Sequence, residues 1–209
     1  MLPMFPLGSV LVPGMLLPLH VFEPRYRRLV HDCLAADGEF GVVLIERGSE
    51  VGGGDVRTDA GTVARIVQAD EMPDGRFAVG AVGVRRVRVE RWLDDDPYPR
   101  AEVVDWPDPT SDPGDRPDIA GDAGIGEVVA LLRRTSALRA ELGEPAAPLD
   151  LELSGDVVTA GYQATAVAPL GPVDRQALLC APTAVGRVEM LRDLLVDHLD
   201  VLEARLSAG

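Results

Sequence analysis

The chain has 209 residues, a formal charge of −14 and 26% charged side chains, and all 20 of its basic residues are Arg. The absence of Lys excludes a P-loop, a Schiff-base mechanism and a Ser–Lys peptidase dyad, since each needs an amine on a flexible stem. The acidic excess works against non-specific binding to nucleic acid or to an anionic membrane, both of which depend on basic surface.

In chain order, Leu2–Leu7 and Leu16–Val21 read as extended, proline-punctuated segments joined through Pro13-Gly14, a type II turn signal. Glu23-Pro24 opens a helix with proline at its first position. Its apolar residues Tyr26, Leu29, Val30 and Cys33 fall at i, i+3, i+4 and i+7, and Gly38 stops it. Phe40–Glu46 and Thr62–Ala69 are β-branched strands around a polar loop holding Gly52-Gly53-Gly54. Asp74-Gly75 signals a hairpin into the long strand Arg76–Trp92. There the apolar phase moves from even positions (Val82, Val84) to odd ones (Val87, Val89), which predicts a β-bulge near Arg85-Arg86. Tyr98–Trp106 completes the strands. Six short strands, one early helix and no βαβ alternation predict a small closed or half-closed β-barrel over residues 1–106.

Residues 107–123 read as an acidic linker, because Asp, Pro and Gly dominate the segment and favour neither helix nor strand. From 124 to 209 the period is 3.6. Ile125, Val128, Val129, Leu132, Leu138 and Leu142 form one stripe. Ser154 caps a helix beginning near Asp156, whose Val157, Ala160, Gly161, Ala164 and Val167 face is built of small residues. Pro169 ends that helix, Gly171-Pro172 starts a short one that Pro182 closes, and Thr183 caps a last helix about 35 Å long. Four such helices imply an up-down bundle. The fold class is therefore α+β, a barrel followed by a helical bundle.

Cys33 and Cys180 lie far apart among apolar neighbours, which reads as two reduced, buried thiols. The amino terminus lacks a positive n-region and is broken by Pro3 and Pro6, unlike a signal peptide. The apolar run Val10–Leu19 is interrupted by Pro13, Gly14 and Pro18 and falls short of the roughly 20 residues a membrane span requires. The expected location is the cytoplasm.

Candidate chemistry is sparse. His31-Asp32 and His198-Asp197 lack the further ligands a metal site needs, so the expectation is no metal, with solvated or capping histidines. G-x-S-x-G is absent, and Gly52-Gly53-Gly54 is followed by Asp55 and not by a helix start, which speaks against a phosphate cradle. The Arg85–Arg91 strand invites an RNA-binding reading, with Arg86, Arg88 and Glu90 on one face. A polar outer strand face explains the same pattern, and nucleic acid is not the expected partner. Met1, Met4, Met15 and Phe22 sit in a proline-broken amino-terminal region, and those left exposed suit an extended hydrophobic peptide.

The segment from Leu2 to Tyr26, with its Pro13-Gly14 turn and Leu17-Pro18-Leu19-His20-Val21-Phe22-Glu23-Pro24-Arg25-Tyr26, resembles the start of the Lon protease N-terminal, substrate-binding domain family. Gly41–Leu44, Gly61–Ala64, Gly80–Arg86 and Leu170–Leu179 resemble later family motifs, the last including Asp174, Arg175 and Gln176. The resemblance implies a PUA-like barrel followed by helices, a mainly structural role for Pro13, Gly14, His20, Glu23, Pro24, Arg25, Asp174, Arg175 and Gln176, and no catalytic residues and no cofactor. In the full protease this region precedes an ATPase and a Ser–Lys peptidase, whose lysines are absent here. The expected function is a non-catalytic module binding unfolded or hydrophobic polypeptide, or a proteolysis-linked adaptor working with protease machinery. Candidate contacts are Met15, Phe22, Tyr26, Trp92 and Tyr98. The alternatives are an RNA-binding PUA-like protein, and a small-molecule binder or enzyme at the barrel–bundle junction using His20, Glu23 and Arg25.

Overall fold

The structure, a computed structural model, describes residues 1–50, 54–109, 117–148 and 150–208. Among these it shows a mixed architecture of one six-stranded sheet and five helices, divided into two compact units, Met1–Pro107 and Asp108–Gly209.

The first unit contains β1 (Leu2–Leu7), β2 (Leu16–Val21), α1 (Pro24–Leu34), β3 (Glu39–Arg47), β4 (Val56–Glu71), β5 (Phe77–Leu93) and β6 (Arg100–Asp105). Its turns follow local chemistry. Gly14 takes φ 81° and Met15 N–H donates to Val12 O, closing the Pro-Gly turn. Glu23 precedes α1, Pro24 supplies its pre-set φ, and Gly38 ends the helix at φ 75° with its N–H on Cys33 O. Gly75, at φ 78°, makes the β4–β5 turn.

The sheet order is β2-β5-β4-β3-β1-β6, with β1–β3 parallel and a further pairing between β5 and β6. The long strand β5 makes this possible. Its first half pairs with β2, its second half with β6, so the ladder returns on itself through β4, β3, β1 and β6. Strands β1 and β3 are buried on both faces. Phe5, Leu7, Phe40 and Val42 join one cluster with Tyr26, Leu29, Val30 and Cys33 of α1; Met4 and Val43 join another with Val89 and Ala101.

The bulge in β5 lies one residue before the expected pair. Val63 opposes Arg85 and Ala64 opposes Gly83, leaving Val84 as the extra residue. The expected phase is corrected, however. Phe77, Val79, Ala81 and Gly83 are the buried residues before the bulge, while Val82 and Val84 are half-buried. Glycine carries no apolar signal, yet Gly83 must face inward, because a Cβ there would meet Val12 O at 2.4 Å.

Cys33 is buried and its thiol donates to Glu39 O at 3.3 Å. Burial, aided by the charges of Asp37 and Asp32, pushes it up to about 12. We expect Cys33 to resist alkylation at neutral pH in the native protein and to react fully in denaturant, as read by peptide mass spectrometry. Native labelling at the rate of a free thiol would contradict this burial. Cys180, expected to be equally buried, is only half-buried.

The second unit contains α2 (Pro117–Glu141), α3 (Val157–Val167), α4 (Pro172–Cys180) and α5 (Ala184–Ala208). Of the expected linker, 110–116 lie outside the described residues, and from Pro117 the chain is helical. Proline at a first helical position costs no hydrogen bond. A glycine within a helix is tolerated where a neighbour comes close, as Gly124 does, its would-be Cβ lying 3.5 Å from Val188. Tertiary packing overrides the weak local propensity. Val128, Leu132, Ala164, Leu178, Leu191 and Leu195 form the core. Asp156, not Ser154, caps α3, accepting from Thr159 N–H at 2.8 Å, and Thr183 Oγ1 caps α5 by accepting from Gly186 N–H. His198, expected in solvent, is half-buried, and burial, then Arg139, lowers its basicity.

Candidate functional site

Strand β2 turns one face to solvent beside an open trough. Its alternation sends Leu17 and Val21 inward, which turns Leu16, Pro18 and His20 outward. The register places Pro18 beside Gly80 beside Gln68, and His20 beside Ala78 beside Asp70. The central column, Ala78 and Gly80, is short, and the columns on each side are tall. The result is a trough of about 440 Å³ lined by Pro18, Leu19, His20, Gln68, Asp70, Ala78, Val79 and Gly80. Leu16 (69% exposed) and Val67 (63%) are exposed on the flanking strands, and Phe22 (52%) just after β2. Val67 owes its exposure to a register shift in β4 between Ile66 and Gln68. Scattered exposed apolar residues are ordinary, whereas these stand on adjacent strands beside a trough.

A second cleft, of about 170 Å³, lies against the same strand. Phe5, Leu7 and Tyr26 wall it, with Phe22, Glu23 and Glu50 around them. Arg25 orders this region: it pairs with Glu23 at 3.1 Å, donates to Glu50 O at 3.2 Å and lies over the Tyr26 ring at 4.5 Å. His20 sits 6.4 Å from the Phe22 ring. His20, Glu23 and Arg25 thus gather, yet Glu23 is engaged by Arg25, and the volume is below the roughly 300 Å³ at which small-molecule pockets begin.

The five candidate contacts do not form one surface. Phe22 is exposed beside the cleft, and Met15 is half-buried against the core. Tyr26 and Tyr98 are core residues, Tyr26 stacked on Phe5 at 4.1 Å and Tyr98 donating to Asp32 at 2.9 Å. Burial raises both phenols to about 12, assisted at Tyr98 by Asp32. Trp92 is half-buried and stands elsewhere, its Nε1–H on Asp59 and the Arg57 guanidinium 4.9 Å from its ring.

The arginine strand is also corrected. Arg86, expected on an outer face, is buried; it lies over Trp106 at 4.1 Å and donates to Trp106 O. Arg88 covers the same ring at 4.0 Å. Arg85 pairs with Glu39 and Asp105. These guanidinium groups are committed within the unit and offer no open basic stripe. Among the described residues no cluster of three or more His, Cys, Asp or Glu is arranged to hold a metal, and no helix is long and apolar enough to cross a membrane.

Of the motif residues, Pro13, Gly14, Glu23, Pro24 and Arg25 build the turn and helix start that present β2. Asp174 lies in the first turn of α4, Arg175 donates to Ala168 O and so ties α4 to the end of α3, and Gln176 donates to Cys180 Sγ within α4. The residues that sequence reasoning missed are Leu16, Val67, Ala78 and Gly80. Two small residues spaced by two within a β-branched run were the available signal for the trough floor.

The family model described as the ATP-dependent protease La (LON) substrate-binding domain matches residues 1–197. A Lon protease of Cytophaga hutchinsonii is 30% identical over 215 residues, and Lon protease 2 of Myxococcus xanthus 31% over 208. These matches cover 98% and 97% of this chain but 25% and 24% of the relatives, so the chain spans about a quarter of the length of the curated relatives it matches. The Lon N-terminal domain protein from Xanthomonas campestris is 30% identical with a TM-score of 0.61, covering 91% of this chain and 95% of that one. The N-terminal domain of a Mycobacterium avium complex Lon protease, 19% identical with a TM-score of 0.66 over 94% of this chain and 98% of that one, shares the fold.

Proposed function

Because the chain belongs to the LON substrate-binding domain family, we propose that it is a non-catalytic recognition module for unfolded, apolar polypeptide, acting in the cytoplasm through the face of β2. The carrying observation is the trough floored by Ala78 and Gly80 between the exposed Leu16 and Val67, with Phe22 at the end of the same strand. An extended chain suits such a surface, since its alternate side chains can drop into the space that glycine and alanine leave open. The absent lysines fit recognition without ATP hydrolysis or peptide cleavage.

The test is a titration of the protein with a carboxymethylated, permanently unfolded protein, followed by fluorescence anisotropy. Binding at micromolar concentration is expected. Leu16→Asp with Phe22→Ser weakens it by about tenfold or more, since each buried side chain of this size contributes roughly 1.5–3 kcal/mol. Both residues are exposed, so the fold survives the change. No binding, or binding indifferent to both substitutions, refutes the proposal.

A further inference from the structure

We propose that β2 takes its polypeptide as an added strand, and that the segment it selects is apolar with basic residues. This rests on the β2 reading above and adds the mode of binding and the class of segment.

Three observations carry it. First, β2 ends the sheet order and, among the described residues, pairs with β5 alone. Gly83 N–H donates to Met15 O at 2.9 Å while Gly83 O accepts from Gly14 N–H. The first ladder pair, Leu16 and Val82, is therefore a non-hydrogen-bonded one and the next, Leu17 and Ala81, a hydrogen-bonded one. In an antiparallel ladder such pairs alternate, so Leu17, Leu19 and Val21 also spend their backbone groups on β5. The N–H and C=O of Leu16 and His20, and the C=O of Pro18, then point to the open side. Pro18 has no N–H, which discourages pairing between two copies of this edge while leaving acceptors for another chain.

Second, the open edge adjoins the cleft walled by Phe5, Leu7, Phe22 and Tyr26, so apolar side chains of an incoming strand have somewhere to go. Third, the charges are one-sided. The acidic residues lining cleft and trough are Glu23, Glu50 and Asp70, and among the described residues no arginine lines either. Arg25 neutralises Glu23 from the side, leaving Glu50 and Asp70 to favour a cationic neighbour. Acidic segments are disfavoured by the same groups and by the net charge of −14.

The experiment uses the full chain and labelled nine-residue peptides with one alternating apolar core, flanked by Lys, by Ser or by Glu. Two further Lys-flanked peptides carry N-methyl groups on alternate amides, one for each register. The Lys peptide is expected to bind at least tenfold more tightly than the Glu peptide, with the gap narrowing in high salt and on Asp70→Asn. One N-methylated register loses tenfold or more and the other keeps most of its affinity. If the three flanks bind alike while Leu16→Asp still abolishes binding, the selectivity fails and the β2 surface stands. If both N-methylated peptides match their parent, strand addition fails. If no peptide and no unfolded protein binds, both readings fall.

Discussion

Arg187→Met is expected to cost the second unit about 3–5 kcal/mol, the penalty for leaving one half of a buried ion pair alone. The side chains of Arg187 and Asp108 are 0% and 4% exposed, with Nη2 and Oδ1 2.8 Å apart. Tyr162 closes the group: its hydroxyl donates to the other Asp108 oxygen at 2.9 Å and accepts from Arg187 Nη2 at 3.0 Å. Arg187 Nε–H donates to Leu178 O, and the guanidinium lies 3.9 Å from the Tyr162 ring centroid. Removing the arginine takes its cation from a buried carboxylate, which keeps the Tyr162 hydroxyl but loses its charge-assisted bond. The pair holds the first residue of the unit onto α5, so its loss frees that end of the unit. The double variant Arg187→Met with Asp108→Asn is expected to recover much of the loss, because removing both charges removes the desolvation problem. Urea unfolding followed by helical circular dichroism measures both. A single variant within about 1 kcal/mol of the parent would show that the pair is not buried as described.

Gly61→Ala is the second large effect. A Cβ at Gly61 would lie 2.2 Å from Val42 O and 2.7 Å from Val43 Cγ1. Val42 O is backbone in the adjacent strand, and the register Gly61↔Val43 and Thr62↔Val42 leaves it no freedom to retreat. The ladder must part or the variant must not fold, so a loss of about 3 kcal/mol or more is expected. For a unit near 100 residues this corresponds to a fall in Tm of more than about 10 °C. Gly80→Ala is the matched comparison. Its Cβ meets Gln68 Cβ at 3.7 Å and Val67 Cγ2 at 3.8 Å, ordinary contacts, and its φ is not positive. Restricting a strand glycine that has room for a methyl stabilises by a few tenths to about 1 kcal/mol. The same chemical change has opposite signs at two glycines of one sheet. Equal effects would remove the reason given for glycine at position 61.

The punctuation of this fold is local and was legible in the chain. Pro13-Gly14, Glu23-Pro24, Gly38, Asp74-Gly75, Gly171-Pro172 and Thr183 each act through a restricted φ, a missing N–H or a side-chain acceptor within a few residues. The exclusion of lysine chemistry needed no structure either. Harder to read were strands buried on both faces, such as β1 and β3, where continuous apolar runs hide the period of two. The helix from Pro117 was not legible in composition, which reports local preference, whereas α2 packs along α5.

Which apolar residues meet water was decided by the pairing of distant segments. Tyr26 and Phe22 are four residues apart and equally plausible as contacts on pattern alone. Tyr26 is buried on Phe5, while Phe22 lies just past the strand end and stays exposed. Leu16 and Leu17 are neighbours, and the pleat sends one out and one in once β5 is beside them. The trough exists only because Gly80 comes to lie between Pro18 and Gln68, and the Asp108–Arg187 pair joins positions 79 residues apart. The composition that began as −14 and no lysine states which chemistry is missing. Tertiary pairing, which brings together groups that no local spacing relates, decides which of the remaining apolar residues meet water.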